Sequence, residues 1–564
     1  MDAPIWKLAE PREEAGQLAA EFGIPLPIAQ ILVNRRITES ESAQRFLYGS
    51  TADLYNPHLM GGMKKAVERV LGAIERSEKI LIFGDYDVDG VLSVVMLHKA
   101  LESLGADVGY FIPERLKEGY GLKDGHIEVA TGRGAHLVIS VDCGIKANGF
   151  VRKAKEKGID VIITDHHLPG PELPGALAIL NPLVPGSDYP DKNLAGVGVV
   201  FKLIQALFER RGKKARLRHY LKLVSIGTIS DVAQLKGENR IFVKQGLKEL
   251  TDVSNIGLKS LIEVCGLKGK KILEGDVGFR IGPRLNAAGR MENADLAVKL
   301  FFSESREDAL PLARILDRLN SERQTTEDKI YAEAHERVRM KDLDKRYKIL
   351  IMGNEEWHPG VIGIVASKLK DTFYRPVILF SYGDGKARGS GRSISEFSLI
   401  NCLEECRNYF LTYGGHELAV GCTLERERLP AFKQAANAVA DTRIRDEDIR
   451  RKIPIDARLH FKDIAGSFLE YFSLLSPFGV GNPHPVFLAE GAEVLNPPQG
   501  LKEGKHAKFL LRESGQVLEA IGWDKGEWTG SVRKGDRVDV AYGLQFSSYR
   551  GEEKLYLSLA GLRK

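Results

Sequence analysis

The run KILIFGDYDVDG, Lys79 to Gly90, sets Asp85, Asp87 and Asp89 on alternate positions directly after a short apolar stretch. Three carboxylates at that spacing repel one another unless a cation sits among them. An EF-hand calcium loop also begins D-x-D-x-D-G, but it closes on a bidentate Glu at its twelfth position and follows a helix. Counted from Asp85, that position is Met96, and Ile80 to Phe83 is a strand-like run. Carboxylates presented at a strand end mark instead the place where open α/β sheets build their sites.

Two further runs have the same form. HLVISVDCG (136–144) ends on Asp142, and DVIITDHH (160–167) ends on Asp165, His166 and His167. Stretches of helical periodicity lie between them, VLSVVMLHKALESLG (91–105) and FVRKAKEKG (150–158). Strand, helix and strand repeated in this way are βαβ units of a parallel sheet. Right-handed crossovers place the carboxyl ends of the strands along one edge, so these seven Asp and His residues are expected to converge. Asp231, in GTISDVAQL, follows another apolar stretch and is a candidate to join them from a distance. Oxygen and imidazole donors together suit Mn2+ or Mg2+. Such a set can hold two ions about 3.5–4 Å apart, the arrangement that hydrolyses phosphoesters. A lone Asp after a strand is more often a helix cap, but three such sites on successive strands, one of them DHH, read as ligands. His98, in the helical run after the first motif, reads as packing or surface.

These residues sit in a chain of 564, too long for one core. Hydrophobic content of 43% and charged content of 28% are those of a soluble globular protein, and a net charge of +5 neither demands nor excludes nucleic acid. The start, MDAPIWKLAEPREE, lacks an apolar signal core, and no run approaches the ~18 apolar residues of a membrane span. A cytoplasmic protein without membrane contact is expected. Cys143, Cys265, Cys402, Cys406 and Cys422 are scattered, which argues against a disulfide framework. The C-x3-C pair Cys402 and Cys406, with His416 and Cys422 nearby, reads as helix packing rather than a zinc site.

From about 200 to 345 the text is mostly helical, ending in LARILDRLNSERQTTEDKIYAEAHERVRM (312–340), read as a long solvent-facing helix between two bodies with a solvated charged face. A second α/β pattern starts at YKILIMGNEEWHPGVIGIVASKLKDTFYRPVILF and continues through GDGKARGSGRS (383–393) and LTYGGHELAVGC (411–422). Taken alone, GGHELAVG is a tight turn into a helix. After 450, short alternating runs separated by Gly, Asn and Lys suggest an OB-type barrel of five or six strands.

The motifs DYDVDG, VDCG, TDHHLP and ISDVAQL resemble those of the DHH phosphoesterase superfamily, named for a triplet like Asp165-His166-His167. Within it the resemblance is strongest to the single-strand-specific exonucleases. It is carried by IPERLKEGYGL (112–122), GENR (237–240), FRIGPRLNAAGRM (279–291), WHPGVIGIVASKL (357–369), GSGRS (389–393), GGHELAVG (414–421) and PFGVGNPHPVF (477–487). The resemblance implies an α/β protein with an N-terminal helical segment (1–60), a parallel-sheet DHH domain (61–310), a connecting helix (311–345), an α/β DHH-associated domain (346–448) and an OB-fold domain (449–564). It implies that Asp87, Asp89, Asp142, His166 and Asp231 bind two Mn2+ or Mg2+ ions, and it assigns catalytic roles to Asp85, Asp165 and His167, with His167 against the scissile phosphate. Phosphate and strand contacts are implied for Arg115, Tyr120, Arg284, Asn286, Arg290, Ser390, Arg392, Gly415 and His416. Members of the superfamily often carry His four residues before the Asp87 position; Phe83 stands there in this chain, leaving that place to water or Asp85.

The activity implied is 5′ to 3′ hydrolysis of single-stranded DNA to mononucleotides in repair and recombination, by a monomer supplied by a helicase and a single-strand-binding protein. The second body would close a cleft over the metals that admits an unpaired strand. The barrel would hold that strand, with Phe546 and Tyr549 to stack and Lys505, Lys508 and Arg550 for its backbone. A DHH phosphodiesterase of short oligonucleotides or cyclic dinucleotides is the alternative, although such enzymes usually lack the third domain. A metal-free scaffold of the same fold would have decayed acidic motifs, and here all of them are intact.

Overall fold

The computed structural model describes residues 4–114, 118–119, 121–549 and 552–564, with the side chains of all but 547–549 and 552–553. Arg115 and Tyr120, Arg550 and the side chain of Tyr549 therefore lie outside the described residues. Two units form: Pro4–Pro113, residues 121–282 and Lys452–Lys564 build one, and Pro283–Arg451 is the body of the other.

In the first unit, β1 (Ile5–Leu8) pairs in parallel with a strand far along the chain, Lys452–Ile455. The five-stranded sheet that follows contains β2 (Ile80–Gly84), β3 (Val108–Phe111), β4 (Leu137–Val141), β5 (Asp160–Thr164) and β6 (Ala178–Leu180). All its pairings are parallel, in the order β3-β2-β4-β5-β6. Every residue of ILIFG in β2 and LVISV in β4 is buried, as unbroken apolar runs must be when helices cover both faces of a parallel sheet. From β2 the chain moves to β3 on one side and returns to β4 on the other. The point between β2 and β4 is thus the topological switch of the sheet, where a crevice opens at the strands' carboxyl ends.

The second unit holds a mixed sheet of β7 (Leu350–Asn354), β8 (Val377–Gly383), β9 (Lys386–Arg392), β10 (Phe410–Gly415) and β11 (Ala419–Glu425), in the order β10-β11-β9-β8-β7. GGHELAVG makes the hairpin between β10 and β11, so the turn leads into a strand and not into a helix: β11 is fixed as a strand by its seven-residue pairing with β9. Cys402, Cys406 and Cys422 are buried in the core of this unit, while His416 is exposed at the hairpin tip. The long helix runs from Arg306 to Met340. It is not wholly solvent-facing, because Ala309, Ala313, Leu316, Leu319, Ile330, Ala334 and Val338 form a buried stripe at helical spacing, with the ion pair Arg323–Glu327 buried in line with it.

The remaining strands are β12 (Lys452–Ile455), β13 (Ala457–Arg458), β14 (Phe487–Val494), β15 (Gln499–Leu501), β16 (His506–Glu513), β17 (Gln516–Gly522), β18 (Arg537–Tyr549) and β19 (Glu552–Arg563). The pairing of β14 with both β18 and β16 closes β14-β18-β19-β17-β16 into a five-stranded barrel, which removes free sheet edges. The barrel does not bury its apolar side chains alone. Phe487, Phe509 and Tyr542 share one core with Leu18, Ile28, Leu32 and Leu47 of the N-terminal helices. The N-terminal 60 residues, expected as a helical segment, thus also contain β1 and form one wall of the barrel's core.

Candidate active site

The parallel sheet delivers its acidic residues to the switch point. Asp85, Asp87 and Asp89 follow β2, Asp142 follows β4, and Asp165, His166 and His167 follow β5. Asp231 caps the carboxyl end of the helix Leu221–Ser230. His166 lies at the centre, its Nε2 3.1 Å from Asp142 Oδ1, 3.9 Å from Asp89 Oδ2 and 3.9 Å from Asp231 Oδ2. Among the described residues, three trios of donor atoms each fit within 4.8 Å: Asp85, Asp87 and Asp142; Asp89, His166 and Asp231; and Asp142, His166 and His167. All five residues expected as ligands therefore converge, and Asp85 and His167 join them.

Backbone N–H groups aim these side chains. Asp87 is the N-cap of the helix Val88–Ser103, its carboxylate accepting from Gly90 N. Both oxygens of Asp89 accept at 2.7 Å from the first N–H groups of the helix Gly196–Arg210, those of Gly196 and Val197, where the positive end of the helix dipole favours a carboxylate. Asp165 is fully buried and accepts from Ile145 N, His166 N, His167 N and His167 Nδ1. With its oxygens engaged by protein N–H groups, Asp165 orients His167. Asp142, with φ 59°, and Val232, just after Asp231 with φ 61°, both occupy the left-handed region. Such strain in non-glycine residues persists where the surrounding structure imposes it.

The electrostatics fit a cation-binding centre. Burial, followed by the charge of Asp87, pushes Asp89 up to about 7. Asp142 and Asp231 are driven well above the usual carboxylate range by burial and by their acidic neighbours. His166 is pushed down to about 4 by burial and by the charge of His167, so it stays neutral, as a ligand must. Its Nε2 is buried without a hydrogen-bond partner among the described residues. An oxygen-rich set with one neutral imidazole fits Mn2+ or Mg2+. Burial alone would lower His167, but its hydrogen bond to Asp165 and the surrounding carboxylates outweigh that and leave it raised. Asp165 would rise on burial, yet the hydrogen bond and charge of His167 hold it below the usual range.

These shifts set the sign of a pH effect. A carboxyl whose folded pKa is raised binds protons more tightly folded than unfolded, so its contribution to stability is lost as pH rises from the ordinary value, 3.8, through about 7 for Asp89. His166, shifted the other way, offsets one such group between about 4 and 6.5. Asp142 and Asp231 add to the Asp89 effect. A divalent ion competes with these protons, so the rise in melting temperature produced by saturating Mn2+ is expected to be larger at about pH 8 than at about pH 5.5. An equal rise at both would contradict the ligand set.

Over 559 residues the chain is 41% identical to the "Single-stranded-DNA-specific exonuclease RecJ" of Bacillus subtilis (strain 168), covering 98% of this chain and 70% of that protein. It is 33% identical over 570 residues to the protein of the same name from Escherichia coli (strain K12), covering 97% and 96%. The chain belongs to the RecJ family. Family models match in the order of the fold: the DHH family N-terminal domain at 79–228, the DHHA1 domain at 344–442 and the RecJ OB domain at 455–560. The crystal structure of RecJ in complex with Mn2+ from Thermus thermophilus superposes with a TM-score of 0.85 at 31% identity, covering 100% of this chain and 80% of that one.

Other residues expected in RecJ-like contacts lie outside this cluster. Ser390 and Arg392 are on β9, with Ala419 opposite Arg392 and Gly421 opposite Ser390, so the Gly415–His416 turn shares their end of the sheet. Gly415 has φ 138°, and a Cβ there would lie 2.3 Å from Ala419 O, so glycine is required. Gly363, in the first turn of the helix Ile362–Phe373, lets Ser390 and Arg392 approach that helix end: a Cβ would lie 2.8 Å from Ser390 Oγ and 3.3 Å from Arg392 Nη2. Arg284, Asn286 and Arg290 lie on the helix Gly282–Met291. There Arg284 forms an ion pair with Asp317 at 2.8 Å, and Arg290 Nη1 donates to Gly360 O. In the barrel, Phe546 is 47% exposed, while Lys505 and Lys508 pair with Asp524 and Glu519. The sequence reading missed the N–H groups of Gly196 and Val197 and the anchor Ile145 N, since a backbone donor carries no residue signature.

Proposed function

We propose that this chain is a metal-dependent exonuclease that degrades single-stranded DNA from the 5′ end to 5′-mononucleotides, in repair and recombination. The observation that carries the proposal is the convergence of Asp87, Asp89, Asp142, His166 and Asp231 at the switch point of the parallel sheet, in a chain of the RecJ family. Two divalent ions held by these residues would polarise the scissile phosphate and lower the pKa of the attacking water. The chain's own groups do the rest. Asp89, fixed by Gly196 and Val197, and Asp231, fixed at a helix end, each bring a carboxylate oxygen 3.9 Å from His166 Nε2. His167, turned by Asp165 and with a side chain 34% exposed, can offer Nε2 to a phosphate oxygen and hold a proton there.

Helix Gly196–Arg210 packs too closely on Asp142 to take a side chain at its start: a Cβ on Gly196 would lie 2.8 Å from Asp142 Oδ1. Gly196→Ala is therefore expected to lower kcat and Mn2+ affinity about 10–100-fold, as loss of a ligand's support does, with strand binding kept. Wild-type Mn2+ affinity in this variant would contradict that geometry.

Ser390 and Arg392 at a helix N-terminus suit a terminal phosphate. Arg392→Ala is expected to erase most of the preference for a 5′-phosphorylated over a 5′-hydroxyl strand, measured as the ratio of kcat/KM for the two. An unchanged ratio would place the terminal phosphate elsewhere.

Among the described residues no helix is long and apolar enough to cross a membrane. A cytoplasmic monomer receiving its strand from a helicase and a single-strand-binding protein is the setting this reading favours. The closed barrel supports a polymeric substrate over a dinucleotide. The two separate in one assay: hydrolysis of dinucleotides with a long 5′-phosphorylated strand left intact would overturn the proposal.

A further inference from the structure

The GENR stretch contains a fully buried asparagine, Asn239, near the start of the helix Gly237–Glu249. Its amide is completely used. Nδ2 donates to Asn193 O at 2.5 Å and to Gln234 O at 3.1 Å, and Oδ1 accepts from Ala195 N at 3.4 Å. These partners belong to two different pieces of the metal centre. Asn193 to Ala195 is the strap that enters the helix Gly196–Arg210, whose first two N–H groups hold Asp89. Gln234 lies in the turn that leaves Asp231, the same turn in which Val232 is held left-handed.

We propose that Asn239 is a positioning residue that sets the separation of Asp89 and Asp231, two carboxylates it does not touch. The inference rests on the metal-dependent reading above. Asp89, His166 and Asp231 form one of the donor trios, and the two carboxylates come to it from different segments. Asn239 ties the strap whose helix start holds Asp89 to the turn that follows Asp231. Residue 238 braces the same strap, Glu238 N donating to Asp191 Oδ2 at 2.6 Å while Asp191 Oδ1 accepts from Asn193 N at 2.9 Å. The geometry needs two N–H donors and an acceptor on one short planar group. Only an asparagine side chain supplies them at this reach; aspartate would turn an acceptor toward two carbonyls.

The test is Mn2+ titration calorimetry together with the electron paramagnetic resonance spectrum of bound Mn2+, on the full chain, for wild type, Asn239→Ala and Arg240→Lys. Asn239→Ala is expected to weaken one of two bound ions about 10–100-fold. The spin-coupled pair signal should be lost at limiting Mn2+ and regained in excess, along with hydrolysis. Arg240→Lys, in the same motif but bonded elsewhere, should melt earlier and keep the wild-type isotherm. Folded Asn239→Ala with a wild-type isotherm and spectrum would overturn the proposal. Should Asn239→Ala fail to fold, Gly198→Ala presses on the strap at Leu194, since its Cβ would lie 3.2 Å from that side chain; a weakened ion supports the proposal and an unchanged isotherm overturns it. Wild type binding no Mn2+ would overturn the metal-dependent reading itself, a distinct result.

Discussion

Asp142→Ala is expected to abolish hydrolysis of single-stranded DNA and to leave strand binding nearly intact. Asp142 belongs to two of the three donor trios and lies 3.1 Å from His166 Nε2, so its loss removes a donor from both of those trios. Metal ions supply several kcal/mol of charge stabilisation to such reactions, which at ~1.4 kcal/mol per factor of ten corresponds to a fall of about three orders of magnitude or more. Binding survives because most affinity for a strand comes from phosphate contacts elsewhere. His166→Ala should behave alike. A second consequence separates this from simple misfolding. Asp142 is a buried carboxylate repelled by Asp89, Asp87 and Asp231, so without metal the Asp142→Ala protein should melt at a higher temperature than wild type. Turnover at the wild-type rate with full metal content would refute the ligand assignment.

Arg240→Ala should produce the largest loss of stability. Arg240 is 2% exposed, and its guanidinium donates to Phe46 O, Leu474 O, Ser476 O and Pro477 O while stacking 3.7 Å above the Phe46 ring. Burial pushes its pKa down to about 9, which still leaves it charged at neutral pH. One side chain thus joins the N-terminal helices, the approach to the barrel and the helix that carries Asn239. Truncation removes the guanidinium from all four carbonyls, of which Pro477 O keeps the amide of Asn482, and breaking a charged hub of this kind costs about 4 kcal/mol. Denaturant titration of the full chain should show the transition of the unit containing the barrel moving to much lower denaturant, with Mn2+ affinity of the remaining folded protein unchanged. A loss below about 1 kcal/mol would show that water replaces the guanidinium.

The centre was legible because its signal is local. Strand type is set by unbroken apolar runs such as ILIFG and LVISV, and topology rules place the residues after them on one edge, so Asp85 to Asp89, Asp142 and His166 could be gathered from spacing alone. What escaped was set by tertiary contacts. β1 forms only because Ile5–Leu8 pairs with Lys452–Ile455. The hairpin at Gly415 becomes visible only when β9 is present to pair with β11. The buried stripe of the long helix was masked in sequence by charges, two of which, Arg323 and Glu327, are themselves buried and paired. Asp165, expected as a catalytic residue of the DHH triplet, stands at a strand end, and its N–H partners, which no pattern reveals, fit it to support His167.

The most direct test of the account is digestion of a long single-stranded DNA, labelled at either end, beside a blunt duplex, with Mn2+ or with EDTA. The account predicts mononucleotides released from the 5′ end only, from the single strand only, and only with metal. Release that persists in EDTA, or no release by folded protein with Mn2+ bound, would contradict it.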